Sequence, residues 1–209
     1  MIVGSKILRP TGSVSESSRA VLRRVRVSLR APAHFQATET GYGMAQFQLP
    51  EQSRTNPLDV VERIASINDW SFERAGEDEI TMLVGGRWSD YQVSFTWMHD
   101  IEALHLACAF DIKVPERRRN EVQQLIAMIN EQLWVGHFDL WSSDGMVMFR
   151  HSLVLAGGVD ATSQQCQALL SSALEACEGY FPAFQFVVWA GKPAREALDA
   201  AMFETSGEA

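Results

Sequence analysis

The chain has 209 residues, 46% of them hydrophobic and 21% charged, with a net charge of −8. That balance belongs to ordinary globular proteins, and the acidic total argues against nucleic acid as the main partner, because phosphate binding needs clustered Lys and Arg. No run approaches the ~18 consecutive apolar residues of a membrane-spanning helix. The charge is unevenly divided. Residues 1–54 hold 8 basic and 3 acidic side chains (+5), and residues 55–209 hold 10 basic and 23 acidic (−13), which sum to the −8 of the chain.

Residues 1–55 read as a disordered or basic N-terminal arm and linker. Lys6, Arg9, Arg19, Arg23, Arg24, Arg26 and Arg30 are opposed only by Glu16, among many serines. Such composition is similar to an organelle transit peptide. A short helix over 20–29 lacks an apolar stripe, and Pro32, Gly41, Gly43 and Pro50 mark linker. The arm suits an acidic surface, including the acidic body of its own chain; the plain alternative is a true start at Met44.

The patterned body begins at Asn56-Pro57-Leu58-Asp59, a helix start with an Asn cap, Pro at the first position and an early acid. Leu58, Val61, Ile64, Ala65 and Ile67 then recur at helical spacing up to Trp70. Three strands follow. Ile80, Met82 and Val84 alternate with polar neighbours; Gly85-Gly86 reads as a turn using positive φ. Tyr91, Val93, Phe95 and Trp97 alternate with Gln92, Ser94, Thr96 and Met98. Leu104, Leu106, Cys108, Phe110, Ile112 and Val114 alternate with Ala103, His105, Ala107, Ala109, Asp111 and Lys113. One large apolar face and one small or polar face predict a sheet covered on one side, and the short links predict antiparallel neighbours.

A second helix after Pro115 carries Val122, Leu125, Ile126, Ile129 and Leu133. Two strands, around 138–141 and 146–155, are joined by a Ser142–Gly145 turn. Thr162 or Ser163 opens a third helix with Cys166, Leu169, Leu170, Ala173, Leu174 and Cys177 inward. Tyr180, Phe181, Phe184, Phe186 and Trp189 then surround the full circumference of a continued helix, which predicts burial on all sides. A strand over 184–189 fits local propensity equally. Gly191 suits a C-cap, and residues 193–203 a last short helix. The expected fold is α+β, an antiparallel sheet of about five strands with helices on one face, in the order α-β-β-β-α-β-β-α. The domain spans 56–203, with 204–209 as a disordered tail.

Asn56-Pro57, Asp69-Trp70-Ser71-Phe72, Gly86-Arg87-Trp88, Asn130-Glu131, Phe181-Pro182-Ala183-Phe184-Gln185 and Gly191-Lys192-Pro193 with Ala197-Leu198 resemble the YbjN family, labelled bacterial sensory transduction regulators. The resemblance covers roughly 56–203 and implies a fold like that of the type III secretion chaperones, which dimerise and bind partner polypeptides. It also implies a helix over 181–189.

No catalytic, cofactor-binding or metal-binding constellation stands out. His99 and His105, beside Asp100 and Glu102, fall at adjacent strand ends, but no HxH or HExxH spacing supplies a ligand set. Cys108 and His105 are three apart on a strand and point to opposite faces. Cys108, Cys166 and Cys177 read as small buried hydrophobes, which fits a reducing cytoplasm. Arg117, Arg118 and Arg119 put three cations in a helix's first turn, against its dipole. They read either as a solvated face or as a contact for an anionic partner. The expectation is a non-enzymatic cytoplasmic interaction module, chaperone-like or regulatory, that binds a protein partner as a homodimer through Phe181, Phe184, Val188 and Trp189. The alternative is a small-ligand sensor with a pocket between sheet and C-terminal helix, lined by residues such as Trp97 and Phe149.

Overall fold

The computed structural model describes residues 55–206 apart from Ser142, with the backbone alone for 203–206. The expected arm before residue 55 and the last three residues of the expected tail lie outside the described residues. The elements are α1 (Pro57–Ile67), β1 (Ser71–Ala75), β2 (Glu79–Gly85), β3 (Asp90–Met98), β4 (Ala103–Lys113), α2 (Arg119–Asn130), β5 (His137–Trp141), β6 (Met146–Val154), α3 (Ser163–Val188) and α4 (Ala194–Ser206). One-turn 3₁₀ segments at His99–Ile101 and Glu116–Arg118 precede β4 and α2. The strands form one antiparallel sheet in the order β1-β2-β3-β4-β6-β5.

The α+β architecture agrees with the sequence, with one strand more than expected. β1 pairs residue for residue with β2, but Ser-Phe-Glu-Arg-Ala has no apolar period to reveal it. It is an edge strand held by its partner's backbone and by Arg74, which bonds both Asp59 and Glu62 on α1 at 2.7 Å. The first helix also stops at Ile67, short of Trp70, because Asp69 takes φ +55 and turns the chain into β1. Its cap is as predicted: the Asn56 side chain accepts from the Leu58 N–H at 2.9 Å and donates to the Glu77 carbonyl at 2.8 Å.

The Gly85-Gly86 turn has a different cause from the one expected. Neither glycine has positive φ. A Cβ on Gly86 would instead overlap the Tyr91 ring and the Glu178 carboxylate, and that carboxylate accepts the Arg87 N–H at 2.6 Å. Gly86-Arg87 is thus a seat for the side of α3.

α1, α2 and α3 lie on the face carrying Ile80, Met82, Tyr91, Phe95, Leu106, Cys108, Phe110 and Phe149, and form the main core there. Phe110 is its centre, with its ring 5.2 Å from Phe181, 5.5 Å from Phe184 and 6.4 Å from both Tyr91 and Phe138. α3 is one helix of 26 residues through Pro182, so the strand alternative for 184–189 is wrong. Its far side is covered by α4, whose Ala194, Ala197, Leu198 and Ala201 are buried.

Two polar contacts from the start of α2 hold that α3–α4 corner. Arg118 donates to the Gly191 carbonyl at 3.4 Å, and Glu121 accepts the Ala194 N–H at 2.6 Å, at the N-terminus of α4. Gly191, at φ +73, reverses the chain between them. At the other end of α2, the Asn130 amide bonds both backbone groups of Phe138, accepting its N–H at 2.8 Å and donating to its carbonyl at 3.1 Å. Those groups point away from β6, so Asn130 closes one edge of the sheet. Asn130→Ala should lower stability by roughly 1–3 kcal/mol by leaving them unpaired; urea unfolding with a lower midpoint and unchanged slope is the expected result.

Candidate functional site

The second face of the sheet carries no described helix. Its rows follow from the strand register. Leu83, Gln92, Ala109, Met148 and Asp139 lie side by side, next to Thr81, Ser94, Ala107, Arg150 and His137. Beyond them come Thr96, His105 and Ser152, then Met98, Ala103 and Val154. Small residues on the central strand β4 make a shallow trough. Ala107, Ala109 and Met148 form a hydrophobic cluster separate from the main core, with Trp141 and Met146 packed against it. Met148 is 0% exposed and Gln92 4%. Neither polar atom of the Gln92 amide has a hydrogen-bond partner, an arrangement that costs free energy unless something is provided to satisfy it.

Beside this trough sits a titratable group. Arg150 donates from Nε to His105 Nε2 at 3.2 Å and from a terminal nitrogen to Asp139 at 3.2 Å. Burial first, then the Arg150 and His137 charges, bring the His105 pKa down to about 4. The ring is therefore neutral, and the lone pair a general base would need is occupied by the Arg150 N–H. The arrangement orders the face; it does not activate a nucleophile.

The remaining sequence candidates are dispersed. His99 bonds Asp78 at 2.7 Å and meets the Trp97 ring edge-on, away from His105. Cys108 and Cys177 are free thiols with sulfurs 3.5 Å apart in the core, where burial and the neighbouring Cys108 push the Cys177 pKa up. Arg117, Arg118 and Arg119 do not form a common patch. Arg117 is exposed, Arg118 serves the Gly191 carbonyl, and Arg119 lies 4.0 Å from Glu116. The expected interface also changes. Phe181, Phe184 and Val188 are buried within the chain, at 3%, 0% and 8% exposure, and of the four only Trp189, at 64%, faces outward.

A cleft of about 320 Å³ lies where α1 meets the end of the sheet, lined by Asn56, Trp97, His99, Glu102, Leu155 and Asp160 among others. It is not the pocket expected between sheet and C-terminal helix. Trp97 lines it, but Phe149 is wholly buried against Phe138. Its polar groups are engaged locally: Asp160 with the Thr55 N–H, Glu102 with the Gly157 N–H and His99 with Asp78. The face is hard to read from the sequence as a site because its residues alternate one by one with core residues along the strands. Gln92 between Tyr91 and Val93 was the available signal.

The sequence profile of the YbjN family, described as "Putative bacterial sensory transduction regulator", matches residues 57–186. Among solved structures, similarity is found to YbjN from E. coli, at 10% identity and TM-score 0.44 over 70% of this chain and 93% of that one. The ExsC–ExsE complex is similar at 15% identity and TM-score 0.41, over 58% of this chain and 88% of that one. No curated protein sequence matches.

The depressed His105 pKa has a defined consequence. The unfolded chain takes up a proton near pH 6.5, whereas the folded ring does so only near pH 4. Its contribution is thus intact above about pH 6.5 and is lost as pH falls toward 4, by up to roughly 3 kcal/mol. Replacing His105 by Gln should flatten the fall in melting temperature between pH 6.5 and 4.5; an unchanged profile would contradict a buried neutral ring.

Proposed function

We propose that this chain, which belongs to the YbjN family, is a non-enzymatic protein-interaction module, chaperone-like or regulatory, whose sheet face opposite the helices binds a partner polypeptide. The observation that carries the reading is the face itself: an alanine-floored trough with its own apolar cluster around Met148 and a buried, unpartnered Gln92 amide. An extended peptide suits such a surface, because side chains pointing down bury apolar area while its backbone offers N–H and C=O groups to the carboxamide.

The module acts as a homodimer in the cytoplasm in this reading. Trp189, exposed at the end of α3, supports the first part, since large exposed aromatics favour interfaces. Three buried free thiols support the second. No helix among the described residues is long and apolar enough to cross a membrane. Among Arg117, Arg118 and Arg119, Arg117 is the exposed side chain and serves as a contact for an anionic segment of the partner in this reading.

The test is affinity capture from the native organism with the full chain and two face variants, Val154→Asp and Ala107→Arg. The expected result is a polypeptide retained by the wild type and lost by both variants, with circular dichroism unchanged. Retention by both variants would refute the face as the binding surface. Light scattering should give the mass of two chains, reduced to one by Trp189→Asp; a wild-type mass of one chain refutes the dimer.

A further inference from the structure

The described chain enters the fold at Thr55, beside the cleft at one end of the sheet. Before it stand 54 residues of net charge +5, joined to a remainder of net charge −13. Within them Val25-Arg26-Val27-Ser28-Leu29-Arg30 alternates apolar and polar residues, a short period-two run that presents Val25, Val27 and Leu29 on one side of an extended segment. We infer that this segment is the resident occupant of the sheet face on which no described helix lies, resting over the alanine trough and withholding it from a partner.

Three observations converge on this occupant. The first is chemical fit. Val25, Val27 and Leu29 are branched side chains suited to a floor of Ala107, Ala109 and Met148, and an extended backbone offers the Gln92 amide the reciprocal pair of bonds that Asn130 makes to Phe138. The second is charge. The 54 residues that carry the segment have a net charge of +5 and the remainder of the chain −13, so the arm is drawn to the body as a whole. The third is reach. The 24 residues from 31 to 54 span up to about 80 Å when extended, against about 30 Å for a nine-residue strand. The attraction is intramolecular, so a weak contact suffices, because the tether sets a millimolar effective concentration.

The inference rests on the proposed polypeptide-binding face and is tested separately from it. In the full chain, Val25, Val27 and Leu29 are changed together to Asp. The probe is a fluorescent peptide of residues 19–33, followed by anisotropy. The variant, its face released, should bind the peptide at least tenfold more tightly than the wild type, whose own arm competes, and binding should weaken with salt. Equal affinity for the two chains, or binding to neither, overturns the inference. As a second measurement, Ala107→Cys reports the face directly against a background of buried native cysteines. Maleimide should label it at least tenfold faster when the three Asp changes are present, and an equal rate overturns the inference. Capture of a partner with no peptide binding would remove the arm and keep the partner reading; peptide binding with no partner captured would do the reverse.

Discussion

The packing of α3 against Phe110 is the interaction on which the rest of the structure depends. Phe181 and Phe184 descend from the helix onto that ring, and Tyr91 and Phe138 close it from the sheet. Removing such a buried aromatic side chain costs roughly 3–5 kcal/mol, a large share of a marginal total. With α3 fixed there, α1 and α2 fill the flanks and α4 seals its outer side. Most of the large apolar side chains are thereby drawn to one face of the sheet. The other face is left with what the alternation deposits on it: alanines and short polar residues around Gln92, His105 and Arg150, with Met98, Met146, Met148 and Trp141 among its larger apolar groups.

Much of this is legible in the residues. The period-two alternation of Tyr91–Met98 and Leu104–Val114 gives the strands, their antiparallel links and the covered face. Asn56 and Thr162 give the helix starts, and Thr162 forms a full capping box with Gln165. What was not legible depends on contacts distant in sequence. β1 exists because β2 and Arg74 hold it. Gly86 is required by Glu178, 92 residues later. Arg118 and Glu121 are committed to the α3–α4 corner, so a run that read as a basic patch is largely structural.

The aromatic block is the most instructive misreading. A helix apolar all round does need cover all round, and Phe181, Phe184 and Val188 receive it. The cover comes from the sheet on one side and from α4 on the other, so a second copy of the chain is not needed to bury them. Sequence periodicity identified the demand without identifying its supplier. The same reasoning returns at the opposite face. Gln92 and Met148 are as buried as core residues, and the physical question there is again what provides the cover.

That question is answered most directly by the methionine methyl resonances of the full chain labelled with ¹³C-methyl methionine. Met148, Met146 and Met98 report the face opposite the helices, and Met82 and Met128 the helical side. Adding the captured partner polypeptide should shift the first group while leaving the second in place. Shifts confined to Met82 and Met128, with Met148 unmoved, would put recognition on the helical side and contradict the account.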